Sequence, residues 1–150
     1  MEEKEFQSWV RANAAARERM EQMTAGLSEK ELSLPMDSGW TPSAALAHLA
    51  FWDARAIILI RKWQKEGVGP SPTDTDVIND SVCELSRAIP PRAAVALALR
   101  KAAELDAIVE KLSPEWVDKI LTFGTAVHLK RFTHRNEHLD EIEKALGTKK

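Results

Sequence analysis

Apolar positions recur along most of the chain at intervals of three and four, and no segment alternates cleanly between apolar and polar residues. That pattern predicts helices throughout and no sheet. The first helix is expected from about Lys4 to Met23, with Phe6, Val10, Ala14 and Met20 near one face and Gly26 closing it. Ser28 and Glu31 have capping-box spacing and predict a short turn of helix. Thr41 then Pro42 is a strong start signal: the hydroxyl can accept from free amides, and proline needs no donor in the first turn. This second long helix should reach about Glu66. The stretch Gly67-Val-Gly-Pro-Ser-Pro-Thr-Asp that follows is rich in helix breakers and long for a tight hairpin, so a crossover between the second and third long helices is expected. A helical piece from about Asp76 to Ala88 stops before Pro90-Pro91. The third long helix should span about Arg92 to Leu112, with Val95, Leu99, Ala102, Leu105 and Val109 on one side. Ser113-Pro114 predicts a short turn through Trp116. The last helix is expected after Gly124, running to about Leu146 with Gly147 ending it and Phe132, Leu139, Ile142 and Leu146 as its apolar stripe. Residues 1–150 thus read as a single all-α domain, a four-helix bundle with a long crossover.

Composition narrows the function classes. With 150 residues, 44% of them apolar, the chain can build a core without covalent staples, and its one cysteine, Cys83, cannot form an internal disulfide. Cys83 lies beside Val82 and Leu85 and reads as a small packed hydrophobe rather than a nucleophile. A single thiol and an opening Met-Glu-Glu-Lys-Glu without an apolar signal region suggest a cytoplasmic protein. The net charge of -2 comes from interspersed signs, which disfavours electrostatic binding of nucleic acid. The apolar run Ala54–Ile60, interrupted by Arg55, is too short to cross a membrane. Five tryptophans are more than usual; Trp9, Trp63 and Trp116 could serve a homodimer interface as well as a core, and Trp40 could wall a pocket.

The histidines carry the candidate chemistry. His134 and His138 are four apart on the last helix, turned by only about 40 degrees, so two ring nitrogens can address one ion. The same spacing fits two surface histidines, because the pair sits about 120 degrees from the centre of the expected apolar stripe. His48 faces Ala44, Ala45, Trp52, Leu59 and Trp63 on the most apolar helix. An unpaired imidazole there costs about 1–3 kcal/mol, so it needs a backbone, water or metal partner. His128, near the centre of the last helix's stripe, reads as a packed or partly exposed residue, and Arg55, which shares the face of His48, reads first as a long side chain snorkelling to solvent and second as a group that could neutralise an anionic substrate. No convincing general base stands out.

Gly39-Trp40-Thr41-Pro42, then Leu46-Ala47-His48-Leu49 with Trp52, and much later His134-Arg-Asn-Glu-His138-Leu-Asp-Glu-Ile142, resemble the DinB-like superfamily of metal-binding helical bundles. That grouping includes the N-terminal domain of mycothiol-dependent maleylpyruvate isomerase. Asp76-Val-Ile-Asn79, the Pro90-Pro91 stop and the Leu27–Leu32 turn fit the same pattern, so the resemblance spans roughly residues 27 to 146. It implies a four-helix bundle with a right-handed crossover and a divalent ion, usually zinc or nickel, on His48, His134 and His138. It also implies a metal-dependent enzyme that uses water or a low-molecular-weight thiol against a small electrophile, as a thiol transferase, isomerase or hydrolase. The alternative is a non-catalytic bundle that binds a small molecule or dimerises. Each ligand histidine should pass its second ring proton to an acceptor, for which Glu137, Asp140 and Glu141 are the nearby candidates.

Overall fold

The computed structural model describes residues 1–123 and 125–147. Among these the secondary structure is helical, with no strand: α1 (Glu3–Ala25), α2 (Glu29–Leu32), α3 (Pro42–Glu66), α4 (Thr75–Ser86), α5 (Pro91–Glu110), α6 (Pro114–Thr122) and α7 (Arg131–Gly147). The start signals act as expected. Ser28 and Glu31 form the reciprocal capping box, Thr41 Oγ1 accepts from Ala44 N at 3.0 Å, and Ser113 Oγ accepts from Trp116 N at 3.3 Å.

Four long helices, α1, α3, α5 and α7, form the bundle. α3 packs against α5 and α7, and α1 against the same two, so α1 and α3 are diagonal. Core composition gives the directions. The N-terminal part of α3 (Leu46, Leu49) shares a cluster with the N-terminal part of α5 (Ala94, Ala98), and their C-terminal parts (Ile60, Trp63 with Leu105, Val109) share another. These neighbours are therefore parallel. α1 runs against both, since Phe6 joins the second cluster and Met20 the first. α1 and α7 are parallel too: Asn13 meets Leu129, and Arg19 meets Asn136 and Asp140. A parallel pair of helices cannot be joined by a tight turn, because the chain must return along roughly 30 Å of a 20-residue helix. The connection through residues 67–74 and α4, which lies on α3, makes that return.

The apolar clusters are separated at mid-bundle by a layer of buried charge. Asp53 of α3, Asp106 of α5 and Arg131 and Arg135 of α7 are all buried, and Arg135 has no exposed surface. Arg135 grips Asp106 through Nη1 and Nη2 at 3.0 and 2.9 Å, reaches Asp53 Oδ2 at 3.3 Å, and donates to the Asn13 carbonyl at 3.1 Å. Arg131 Nε donates to Asp53 Oδ1 at 2.8 Å, and Arg17 Nη1 donates to Asp106 Oδ2 at 3.0 Å.

Three details differ from the sequence reading. α6 continues to Thr122 instead of stopping near Trp116, because Val117 and Ile120 are buried in the core beside Phe6 and Leu129. α7 begins at Arg131, later than expected; Gly124, the expected boundary, lies outside the described residues. Its start is set from across the bundle: the buried Asn13 side chain accepts from Phe132 N at 2.9 Å and donates to the Leu129 carbonyl at 2.8 Å. Finally, α3 is long and apolar enough by composition to cross a membrane, which the short run Ala54–Ile60 understates. It is instead the core helix, mostly buried. The tryptophans weighed as contact residues also serve the core: Trp63 is buried in it, and Trp9 and Trp116 pack against it.

Removing one partner from a buried ion pair strands the remaining charges without water, at a cost of about 3–5 kcal/mol. Arg135→Met should therefore lower unfolding free energy by about that amount in urea titrations followed by circular dichroism. A loss below about 1 kcal/mol would mean the layer is solvated or dispensable.

Candidate metal centre

His48 lies on the second turn of α3, and His134 and His138 lie one turn apart on the antiparallel α7. Of the expected stripe, α7 buries Leu139 and Ile142 but leaves Phe132 and Leu146 half-buried, and it buries Arg131 and Arg135 in their place. That shifts the buried face toward the histidine pair, which stands about 75 degrees from its centre. The three imidazoles meet. Their ring centroids are separated by 4.9 Å (His48–His134), 4.7 Å (His48–His138) and 5.0 Å (His134–His138), with planes inclined at 72, 68 and 71 degrees. One nitrogen from each lies within 4.8 Å of the others, and His48 Nε2 and His134 Nε2 face each other at 2.9 Å.

Trp40 covers the cluster, stacking on His138 at 6.3 Å and meeting the edge of His48 at 5.0 Å. It is carried there by a tight loop in which Met36 N donates to the Trp40 carbonyl and Gly39 N to the Met36 carbonyl. Gly39 has φ of 87°, a left-handed conformation that disfavours any side chain there. Trp52 flanks His48 on the other side at 6.5 Å, held by Nε1–H donation to Asn79 Oδ1 of α4 at 2.8 Å. The rings open onto a cleft of about 750 Å³ bounded by α3, α4, α7 and the segments preceding α4 and α7.

Burial keeps all three imidazoles neutral. The His48 pKa is lowered from 6.5 to about 4 by burial, with His138 and Arg131 adding to the effect. His134 is lowered to about 3, by burial and then by Arg131 and the neighbouring rings. His138 is lowered by burial, against the pull of Glu141 and Glu137. Neutral imidazoles are the form that ligates metals.

Proton positions follow from the donors nearby. Arg131 Nη2 lies 3.2 Å from His134 Nδ1, and a guanidinium only donates, so Nδ1 is the acceptor and His134 carries its proton on Nε2. That proton is directed at His48 Nε2, which therefore presents a bare lone pair to the cluster. The His48 proton then sits on Nδ1, a buried atom with no hydrogen-bond partner. His48 thus has the ligand-ready tautomer, and His134 attains it when its proton moves from Nε2 to Nδ1, which requires Arg131 Nη2 to turn away from that atom. For nitrogens about 2.0–2.1 Å from a tetrahedral ion, the mutual separation is about 3.3 Å, so His48 and His134, at 2.9 Å, need a small expansion, and any pair near the 4.8 Å limit needs to draw in. The donor set fits a divalent cation with a position left open toward the cleft.

The expected supporting carboxylates are only partly present. Glu141 Oε1 lies 4.0 Å from His138 Nδ1 and has no closer partner, Glu137 lines the cleft, and Asp140 is taken by Arg19 at 2.7 Å. At His134 the neighbour is a cation, the reverse of the expectation. Arg131 is held there by Asp53 and by donation of Nη1 to the Val127 carbonyl at 2.9 Å. Sequence reasoning missed Arg131, Asp53, Arg135 and Asp106. The available signal was that Asp53, Asp106 and Arg135 fall on the apolar stripes of their own helices, where each charge calls for an opposite one. His128 is not on the last helix as expected: it occupies the turn before α7, edge-on to Trp63 at 5.5 Å, and lines the cleft. Cys83 is half-buried beside a second, smaller hollow that shares Trp40.

No protein-family model matches the chain, and no curated protein matches it. Among solved structures it is similar to YfiT from Bacillus subtilis, described as a probable metal-dependent hydrolase with an unusual four-helix bundle topology. The two share 16% sequence identity with a TM-score of 0.72, over 98% of this chain and 90% of that one. The likeness establishes the architecture: the chain folds as the four-helix bundle that its helical periodicity and long crossover led us to expect.

Proposed function

We propose that this protein holds a divalent ion, zinc or nickel, on His48, His134 and His138 and uses it as a metal-dependent hydrolase or transferase of small electrophilic molecules. The observation that carries the reading is the convergence of three neutral imidazoles from two helices at the floor of a cleft. The description of YfiT as a probable metal-dependent hydrolase supports the hydrolytic version. A divalent ion on three neutral histidines supplies Lewis acidity, drawing the pKa of a coordinated water toward about 7 or holding a low-molecular-weight thiol as thiolate.

The chain's own residues shape that chemistry. His48 presents its Nε2 lone pair from a rigid, buried helix, and Trp40 and Trp52 restrict the approach of bulk water. Arg131 beside His134 withdraws charge from that imidazole, whereas a carboxylate would have donated it, so this ligand set favours an electrophilic ion over a tightly held structural one.

Protein purified without a histidine tag should take up about one zinc or nickel ion per chain, measured by elemental analysis after dialysis. His48→Ala and His134→Ala should each weaken uptake beyond the about 10- to 100-fold loss that follows alteration of a group merely supporting a ligand. Uptake unchanged by either substitution would remove the site.

Acid should destabilise the metal-free protein. The folded-state pKa values of His48 and His134 lie below their ordinary 6.5, so the unfolded chain takes up protons first as pH falls. Stability is then complete above about pH 6.5 and declines as the pH drops through the range down to about 4. Urea midpoints measured from pH 7.5 to 4.5 should fall over that interval, and less steeply in His134→Gln. Identical profiles for the two proteins would contradict the burial of this imidazole.

A further inference from the structure

We infer that the cleft takes a small molecule bearing an oxyanion, a carboxylate or phosphate, and that Arg55 is the residue that binds it. This inference builds on the metal-centre reading by naming the class of substrate, but its evidence lies on the other side of Trp52.

Three cations and one carboxylate, Glu137, are among the described residues lining the cleft, in a chain whose net charge is -2. Two of the cations are already engaged. Arg131 is committed to Asp53, and the Lys130 ammonium rests over the rings of Trp9 and Phe132 at 5.2 and 5.7 Å. Arg55 differs. It is half-buried, and among the described residues no carboxylate pairs with it, whereas Arg61 on the same helix pairs with Glu104. Its guanidinium lies over Trp52, 5.8 Å from the ring centroid. Nη2 donates to the carbonyl and the hydroxyl of Ser71 at 2.9 and 2.6 Å. Nη1 and Nε make no hydrogen bond to any described residue.

A partly desolvated cation without a counter-charge is unfavourable unless something else brings the negative charge. Here the side chain is also immobilised. Ser71 fixes one edge of the guanidinium and Trp52 fixes its plane, so the remaining N–H groups are arranged in advance to grip a planar or tetrahedral oxyanion. Ser71, Thr73 and Thr75 add hydroxyls to the same wall. Arg55 and His48 both neighbour Trp52, so a ligand anchored on the arginine can lie along that ring with its other end directed at the histidine cluster. The long crossover acquires a role in this arrangement: it supplies Ser71, which orients the arginine.

The test compares 4-nitrobenzoate, 4-nitrophenyl phosphate and the neutral 4-nitrobenzamide as ligands of EDTA-treated full-length protein, followed by quenching of tryptophan fluorescence. At least one anion should bind about ten- to a hundredfold more tightly than the amide, as a charge-assisted contact provides, and the tighter of the two identifies the head group. Arg55→Gln should abolish the preference while leaving the amide affinity unchanged, and Arg55→Lys should keep part of it. If Arg55→Gln does not fold by circular dichroism, Ser71→Ala serves instead and should reduce the preference severalfold. Equal affinity for anion and amide, no anion binding, or a preference that survives Arg55→Gln overturns the inference. Metal content of the undialysed protein is measured separately. Anion preference without metal uptake leaves the arginine site standing and removes the metal reading; uptake without preference does the reverse.

Discussion

Arg135 is the residue on which the arrangement of the bundle turns. It is a guanidinium with no exposed surface, pressed between carboxylates from two other helices and a backbone carbonyl of a third. A charge in that position tolerates little displacement. Sliding α7 by one turn, about 5.4 Å, toward its N-terminus would push Arg135 into the apolar layer on one side and pull Leu139 into the charged layer. Apolar packing between helices is forgiving of register, whereas a bidentate ion pair is not. The layer therefore selects one alignment of α7 against α3 and α5, although in general a buried ion pair adds no more net stability than apolar packing of the same volume.

That alignment is also what assembles the site. His134 precedes Arg135 directly, and His138 lies one turn on, so the register set by the ion pair sets where both imidazoles stand relative to His48. Arg131 joins the two systems by bonding Asp53 with one edge and His134 with another. The histidine cluster is thus connected by continuous hydrogen bonds to the middle of the core. Its electrostatic surroundings are a consequence of that connection: three arginines against two aspartates leave the layer with surplus positive charge, which together with burial disfavours protonated imidazoles.

The cleft shows the same economy. Each wall is built by a segment with a separate structural task. α4 covers α3 and, through Asn79, orients Trp52; the crossover completes the chain's return and holds Arg55 through Ser71; the turn before α7 carries His128 and is tied to α1 by Asn13. A cleft that carries polar groups next to an apolar core is costly only where those groups lack partners. Those without one, His48 Nδ1 and the outer edge of Arg55, belong to the residues that face a prospective ion and a prospective ligand.

Much of this was legible in the sequence wherever the determinant is local. Ser28 with Glu31, Thr41 with Pro42 and Ser113 with Pro114 start helices because a side chain three residues away, or a fixed φ, is enough to do so. The breakers between Gly67 and Pro72 required a long connection, and the order of tryptophan, proline and histidine motifs was enough to suggest the fold and the three-histidine cluster. The sequence did not disclose the start of α7, the length of α6, the place of His128, or which charges are buried. Asn13 caps a helix 119 positions away, and Asp53, Asp106 and Arg135 are stable only as a set drawn from three helices. The chain alone determined its helices, because a helix bonds residues four apart; only the tertiary structure decided the site, because a buried charge is defined by partners that no local spacing reveals.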